Sequence, residues 1–338
     1  MSNEKQSFLK KVFSIRGMGA AITAFIGLII IYIAFGLINP AVFSGQNIMN
    51  LLRSMSKYLL IGIAQSYILI TGNIDLSIGT MVGMSAMVAA TLMSHGVHPV
   101  IAVLVALLCC LACGVVNGFL VGKFKLPPFI ATLGTMFITR GIAYMVNGNR
   151  NTDAIATGIG KEAGDAFQNF FYYGSTLGVY NTFWIALLFF IIFFFLLSKT
   201  RTGRHIYAIG SNIDAAKLSG VNVVATTTKA YMVSAFCSWL VGLILCAQAG
   251  MGNMEAGNMY EMYGVAAGVI GGVSPLGGTG ILLGTFAGAA VWQTLENGLN
   301  MIGAQVGIQR VVIGVIVVAA VLLDVVVRGG QFKKKKGN

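Results

Sequence analysis

The chain has 338 residues and a formal net charge of +12, yet it holds only 22 basic and 10 acidic residues, where an ordinary globular protein of this length would carry roughly 85 charges. With 57% hydrophobic residues and apolar runs of about 20 residues recurring along its length, it is excluded from the soluble proteins. Its basic residues lie between the apolar runs and not along one stripe, which sets nucleic acid aside as a partner and assigns them to membrane orientation.

In chain order, a basic start (Lys5, Lys10, Lys11, Arg16) leads into a first apolar run, Gly17 to Ile38. That run is longer than a signal-peptide core and reads as a retained span. Further spans are predicted over 50–72, 76–94, 100–122, 129–147, 181–198, 230–249, 262–273, 280–298 and 306–328, so the fold class is an all-α polytopic membrane protein with about ten transmembrane helices. An even number puts both termini on one side. With that side cytoplasmic, most basic residues fall inside: the amino-terminal four, Lys123, Lys125, Lys199, Arg201, Arg204, Lys217, Lys229, Arg328 and Lys333 to Lys336. The organisation is then a cytoplasmic segment 1–16, a transmembrane domain 17–328 with an inner loop 199–229, and a basic cytoplasmic tail 329–338.

Two spans are weak. The second carries Arg53 and Lys57 near its start, and the eighth is too short for a straight crossing, so each is expected to be broken or partial. Both run into glycine-rich turns, Gly72 to Gly79 and Gly271 to Gly280, which start about 200 residues apart and hint at related halves. The stretch 147–180 on the outer side is polar, lacks periodicity and is too short for a soluble domain, so any catalytic or ligand-capturing domain belongs to another chain.

Familiar chemistry is missing. The stretch Gly272 to Thr279 approaches a phosphate-binding loop, but Gly278 stands where the lysine would meet the phosphates. His95, His98 and His205 have no acidic partner near in sequence, and all five cysteines fall in apolar spans as packing residues. Asp75, Arg140 and Glu296, the ionisable residues nearest to membrane depth, sit at span ends and suggest no ion relay.

The inner loop carries the clearest local structure. Ser211 or Asn212 caps a short helix, Asp214 lies in its first turn, Ile213, Ala215, Ala216, Lys217 and Leu218 continue it with Ala216 on a small contact face, and Gly220 supplies a left-handed stop. A helix of about two turns is marginal alone, which points to docking on a partner; a loop that only fixes orientation is the competing reading.

Three stretches, Gly72-Asn-Ile-Asp-Leu-Ser-Ile-Gly79, Tyr207 to Asn222 and Val269 to Gly280, together resemble motifs of the permease subunit of ATP-binding-cassette importers of the ribose, xylose and galactose type. The likeness runs over nearly the whole chain; Asn73 and Pro275 depart from the usual pattern. It implies a multi-pass permease in the bacterial plasma membrane with both termini cytoplasmic. Its implied partners are a second permease copy or paralogue, a cytoplasmic ATPase that uses ATP and magnesium, an extracytoplasmic sugar-binding protein and the surrounding lipid. It implies no catalysis and no cofactor in this chain, and makes the helix from Ser211 to Gly220 the coupling helix. For the pathway, polar residues within or beside spans are the candidates: Gln65, Asn73, Asp75, Asn117 and Thr135, with Gly271 and Gly272 in the second turn. Permeases for nucleosides or branched-chain amino acids, and a stand-alone ion-coupled carrier, are the alternatives.

Overall fold

The structure, a computed structural model, describes residues 18–312, 314–316, 318–319 and 322. The segment 1–16, the tail 329–338 and much of the last predicted span lie outside the described residues. Among the described residues, sheet is confined to one two-stranded hairpin, β1 (Ser175–Thr176) against β2 (Val179–Tyr180).

Among the described residues, four helices are long and apolar enough to cross a membrane: α1 (Met18–Ile38), α4 (Pro99–Gly122), α8 (Asn181–Lys199) and α11 (Val223–Ala249). On α4 and α8 the large apolar residues Ile101, Leu104, Leu108, Leu188, Ile191 and Phe195 are exposed, an arrangement that water would not tolerate over so wide a surface and that lipid tails satisfy. The chain is an all-α polytopic membrane protein. Its core is built around α2 (Gly45–Ile70), α3 (Ile78–Ser94) and α11, where Leu59, Ile63, Met81, Met87, Val241 and Ile244 are fully buried.

The second span is not broken where its charges suggested. α2 starts on the Ser44 side chain, which accepts from the Asn47 amide at 3.3 Å, and runs unbroken through both cations. The reason is tertiary: the Arg53 guanidinium lies 4.6 Å and 4.0 Å from the ring centroids of Tyr172 and Tyr180, and Lys57 Nζ donates to Gln248 Oε1 at 3.3 Å. Held inside the protein, neither charge meets lipid. The interruption falls instead at 71–77, before α3.

The eighth span is short, as expected: α12 covers Tyr260–Ile270 before α13 (Leu282–Met301) begins. The chain reaches it by dipping into the bundle along α3, with Gly252 against Met87 and Ala90, Ala256 against Gly83 and Gly257 against Gly79. Thr152 anchors this descent, its amide donating to the Gly252 carbonyl at 3.1 Å and its hydroxyl accepting from the Gly252 amide at 2.8 Å. Irregular backbone at this depth survives because protein, not lipid, surrounds it.

Two connections hold more structure than sequence periodicity showed. After α5 (Pro128–Met145), the stretch 147–180 folds into α6 (Ile155–Ile159), α7 (Lys161–Gln168), a π-helical turn (Asn169–Tyr173) and the hairpin, burying Phe167, Phe171 and Tyr172. The inner loop contains two helices, α9 (Arg201–Ser211) and α10 (Ile213–Leu218), and α11 begins at Val223, earlier than predicted, on an Asn222 cap.

Candidate functional site

Lys123, Lys125 and Lys217 line one cavity beside α9 and α10, and Lys199, Arg201, Arg204 and Lys229 lie on the helices that lead into and out of this segment. Asn212, not Ser211, caps α10, accepting from the Ala215 amide at 2.9 Å; Ser211 ends α9. Gly220, at φ +80°, stops the helix, its amide donating to Lys217 O while Val221 donates to Ala216 O, both at 3.0 Å. Ala216 is buried within the chain, which corrects the expectation of a contact face there. Asp214, Ala215 and Lys217 are exposed, and so are the apolar Ile213 and Leu218, the latter at 90%. A cavity of about 640 Å³ opens beside α10, lined in part by Asn73, Lys123, Lys125, Asp214 and Lys217.

α9, which sequence periodicity did not reveal, links this segment to both glycine turns. The Gly278 amide donates to Ile70 O at 2.9 Å. Gly210 presses on the same Ile70 carbonyl, Gly277 packs against Gly72 and the Gly210 carbonyl, and Gly278 lies on Ser211, none with room for a Cβ. Tyr207 Oη donates to Gly280 O at 2.6 Å, and burial pushes the Tyr207 phenol up to about 12, so it keeps this proton at neutral pH. The three elements therefore meet backbone to backbone. The two turns also close alike: Gly72 and Asn73 donate to Leu69 O and Ile68 O at 2.8 and 3.2 Å, Gly272 and Val273 to Val269 O and Gly268 O at 2.9 Å each. Gly271 seats the second turn against Gly284 of α13. Inside that turn Gly277 donates to Ser274 O at 3.1 Å and Ser274 to Thr279 O at 3.0 Å, so these amides face the turn's own carbonyls instead of a phosphate.

Three of the pathway candidates come together. Asp75, buried at the α2–α3 break, accepts from the Ser77 amide at 2.9 Å, from Ser77 Oγ at 2.6 Å and from Ser234 Oγ of α11 at 2.7 Å. Asn117 of α4 donates to Ser77 Oγ at 3.0 Å and accepts from Thr135 of α5 at 2.5 Å. Thr139, one turn further along α5, donates to Thr80 of α3 at 2.7 Å. This network braces four helices with neutral partners. Asn73 stands apart, donating to Thr71 at 2.9 Å beside the cavity. Gln65 also stands apart, fully buried with neither amide atom paired.

A family described as the permease component of branched-chain amino acid transport systems matches residues 47–321. The chain is 36% identical to the ribose import permease protein of Bacillus subtilis, over 96% of this chain and 98% of that protein. It is 34% identical to the D-allose transport system permease protein of Escherichia coli, over 88% and 89%, and 32% identical to the galactose/methyl galactoside import permease protein of Haemophilus influenzae, over 88% and 90%. No solved structure matches.

Proposed function

From the premise that the chain belongs to the branched-chain amino acid transport system permease family, we propose that it forms the membrane pathway of an ATP-driven importer for a monosaccharide. The observation that carries the solute class is the set of sugar-named relatives aligned over most of both chains. The family's own description favours a second reading, a permease for branched-chain amino acids.

The chain is a transport subunit and not an enzyme. In the proposed complex ATP and magnesium are used by a separate cytoplasmic ATPase, and this chain carries no cofactor of its own. Exposed Ile213 and Leu218 on a six-residue helix support docking of that ATPase on α10, because a helix this short is stabilised by what it packs against. Motion of α10 then reaches both glycine turns through α9. A second permease copy completes the pathway, and an extracytoplasmic binding protein delivers solute to the end opposite the basic loops, in a bacterial inner membrane with both termini cytoplasmic.

The test is ATP-dependent accumulation of radiolabelled D-ribose, D-allose and D-galactose by proteoliposomes holding the permease, its ATPase and its binding protein, with L-leucine alongside. Sugar accumulation that requires ATP is the expected result. Accumulation of leucine alone selects the second reading, and accumulation driven by an ion gradient without ATP overturns both.

A further inference from the structure

α2, α12 and α13 enclose a cluster of aromatic and polar side chains in the half of the bundle away from the basic loops. The Tyr58 ring of α2 stands 6.1 Å from Tyr260 and 5.8 Å from Tyr263 on α12, and 6.3 Å from Trp292 on α13, centroid to centroid. Tyr263 and Trp292 are 5.0 Å apart. Tyr58 Oη donates to Glu296 Oε2 at 2.8 Å. Tyr58 and Trp292 are buried whereas Tyr260 and Tyr263 are half-buried, so one side of the cluster is not covered by this chain.

The same helices carry amides left without partners. Gln65 lies two turns beyond Tyr58 on the same face of α2, packed against Gly264, the neighbour of Tyr263. It is fully buried with both side-chain polar atoms unpaired, and Gln293, next to Trp292 and 6% exposed, leaves its oxygen unpaired. Asp75 and Asn117 show the usual state of a buried polar group, paired with its neighbours, although Arg53 Nε and the hydroxyls of Thr91 and Thr294 are also unpaired. Unpaired buried amides are costly, and two of them bordering one aromatic cluster mark groups whose partners arrive with a ligand.

The chemistry selects the ligand class. Aromatic faces suit the apolar C–H face of a sugar ring, and neutral amides both donate to and accept from its hydroxyls. Glu296 accepts from Tyr58, and Lys57 donates to Gln248. Resting on the reading of the chain as a monosaccharide permease, we infer that Tyr58, Tyr260, Tyr263 and Trp292, with the amides of Gln65 and Gln293, form the site on which a sugar ring rests during passage.

The experiment uses the complete importer in proteoliposomes, with D-ribose, D-allose and D-galactose as probes, and reads uptake beside the ATPase rate stimulated by loaded binding protein. Gln65→Leu and Trp292→Ala are expected to cut uptake at least about ten-fold, the order seen when an aromatic or hydrogen-bonding anchor is removed. The stimulated ATPase rate should stay within about two-fold, and Trp292→Phe should keep most of the uptake. Uptake near wild type in Gln65→Leu and Trp292→Ala overturns the site while leaving the permease reading intact. Equal loss of uptake and ATPase stimulation in all three variants, Trp292→Phe included, assigns the cluster to packing and overturns the site as well. A wild-type importer that accumulates leucine and no sugar instead removes the functional reading on which the site rests.

Discussion

The Gly278 amide donates to the carbonyl of Ile70 at 2.9 Å, fastening the second glycine turn to the end of the helix that feeds the first. Gly210 of α9 covers that same carbonyl closely enough that a Cβ would collide with backbone. Backbone cannot retreat as a flexible side chain can, so Gly210→Ala must push α9 away from both turns, at a cost of about 1–3 kcal/mol. The variant is expected to insert and bind its ATPase normally, while ATP hydrolysis ceases to drive uptake. Measured uptake per ATP at the wild-type ratio would show that α9 does not transmit motion.

α10 separates an inward residue from outward ones, and the two classes predict different defects. Leu218→Asp changes a 90% exposed side chain, leaves the fold unstrained and is expected to weaken co-purification of the ATPase. Ala216→Asp instead buries an unpaired carboxylate inside the chain and should lower thermal stability in detergent. Gly220→Val forces a β-branched residue to φ +80°, costing about 1–2 kcal/mol and re-aiming the entry to α11. Thr202→Ala, outside α10, should be nearly silent. Normal ATPase retention by Leu218→Asp would exclude α10 as the docking face.

What was legible in the sequence was local. The Asn212 cap and Gly220 stop of α10 lie within a few residues of the bonds they make, and the short α12 follows from a short apolar run. α9 was hidden because Gly203 and Gly210 are poor helix formers and its order comes from burying Ile206 and Ile209. Arg53 misled because the rings of Tyr172 and Tyr180 that shelter it arrive from a distant loop. Polar residues inside apolar spans were visible as a set, but periodicity cannot tell which of them pair. Asp75, Asn117 and Thr135 do so, and Gln65 does not.

Asp75 offers a direct check on that distinction. Its two oxygens accept three hydrogen bonds from Ser77 and Ser234. Asp75→Asn keeps the shape and one acceptor, and its new amide can donate to the Ser234 hydroxyl, so only a modest loss of stability is expected. Asp75→Leu strands the Ser77 and Ser234 donors and should cost about 3 kcal/mol or more. The melting temperature in detergent reads both. Because the carboxylate acts here as a brace, ATP-driven uptake by Asp75→Asn should persist and should not respond to a proton or sodium gradient; abolished uptake in a normally stable Asp75→Asn protein would make the carboxylate functional.

Orientation supplies the last prediction. The basic end carries α9 and α10, and the opposite end carries Asp153, Glu162, Asp165 and Glu255; retention of Lys and Arg on the cytoplasmic side then places α10 inside the cell. Lys217 and Asp153 are both exposed, so a cysteine at either position is open to reagent from its own side. The native thiols are no obstacle, since Cys110, Cys237 and Cys246 are buried and Cys109 and Cys113 half-buried within α4, and alanine at all five gives a clean background. In intact cells an impermeant maleimide should label Asp153→Cys and leave Lys217→Cys unlabelled until the membrane is opened. The reverse pattern would invert the molecule, moving the ATPase-docking face outside and the aromatic cluster to the cytoplasmic half, and no importer could then be coupled through α10.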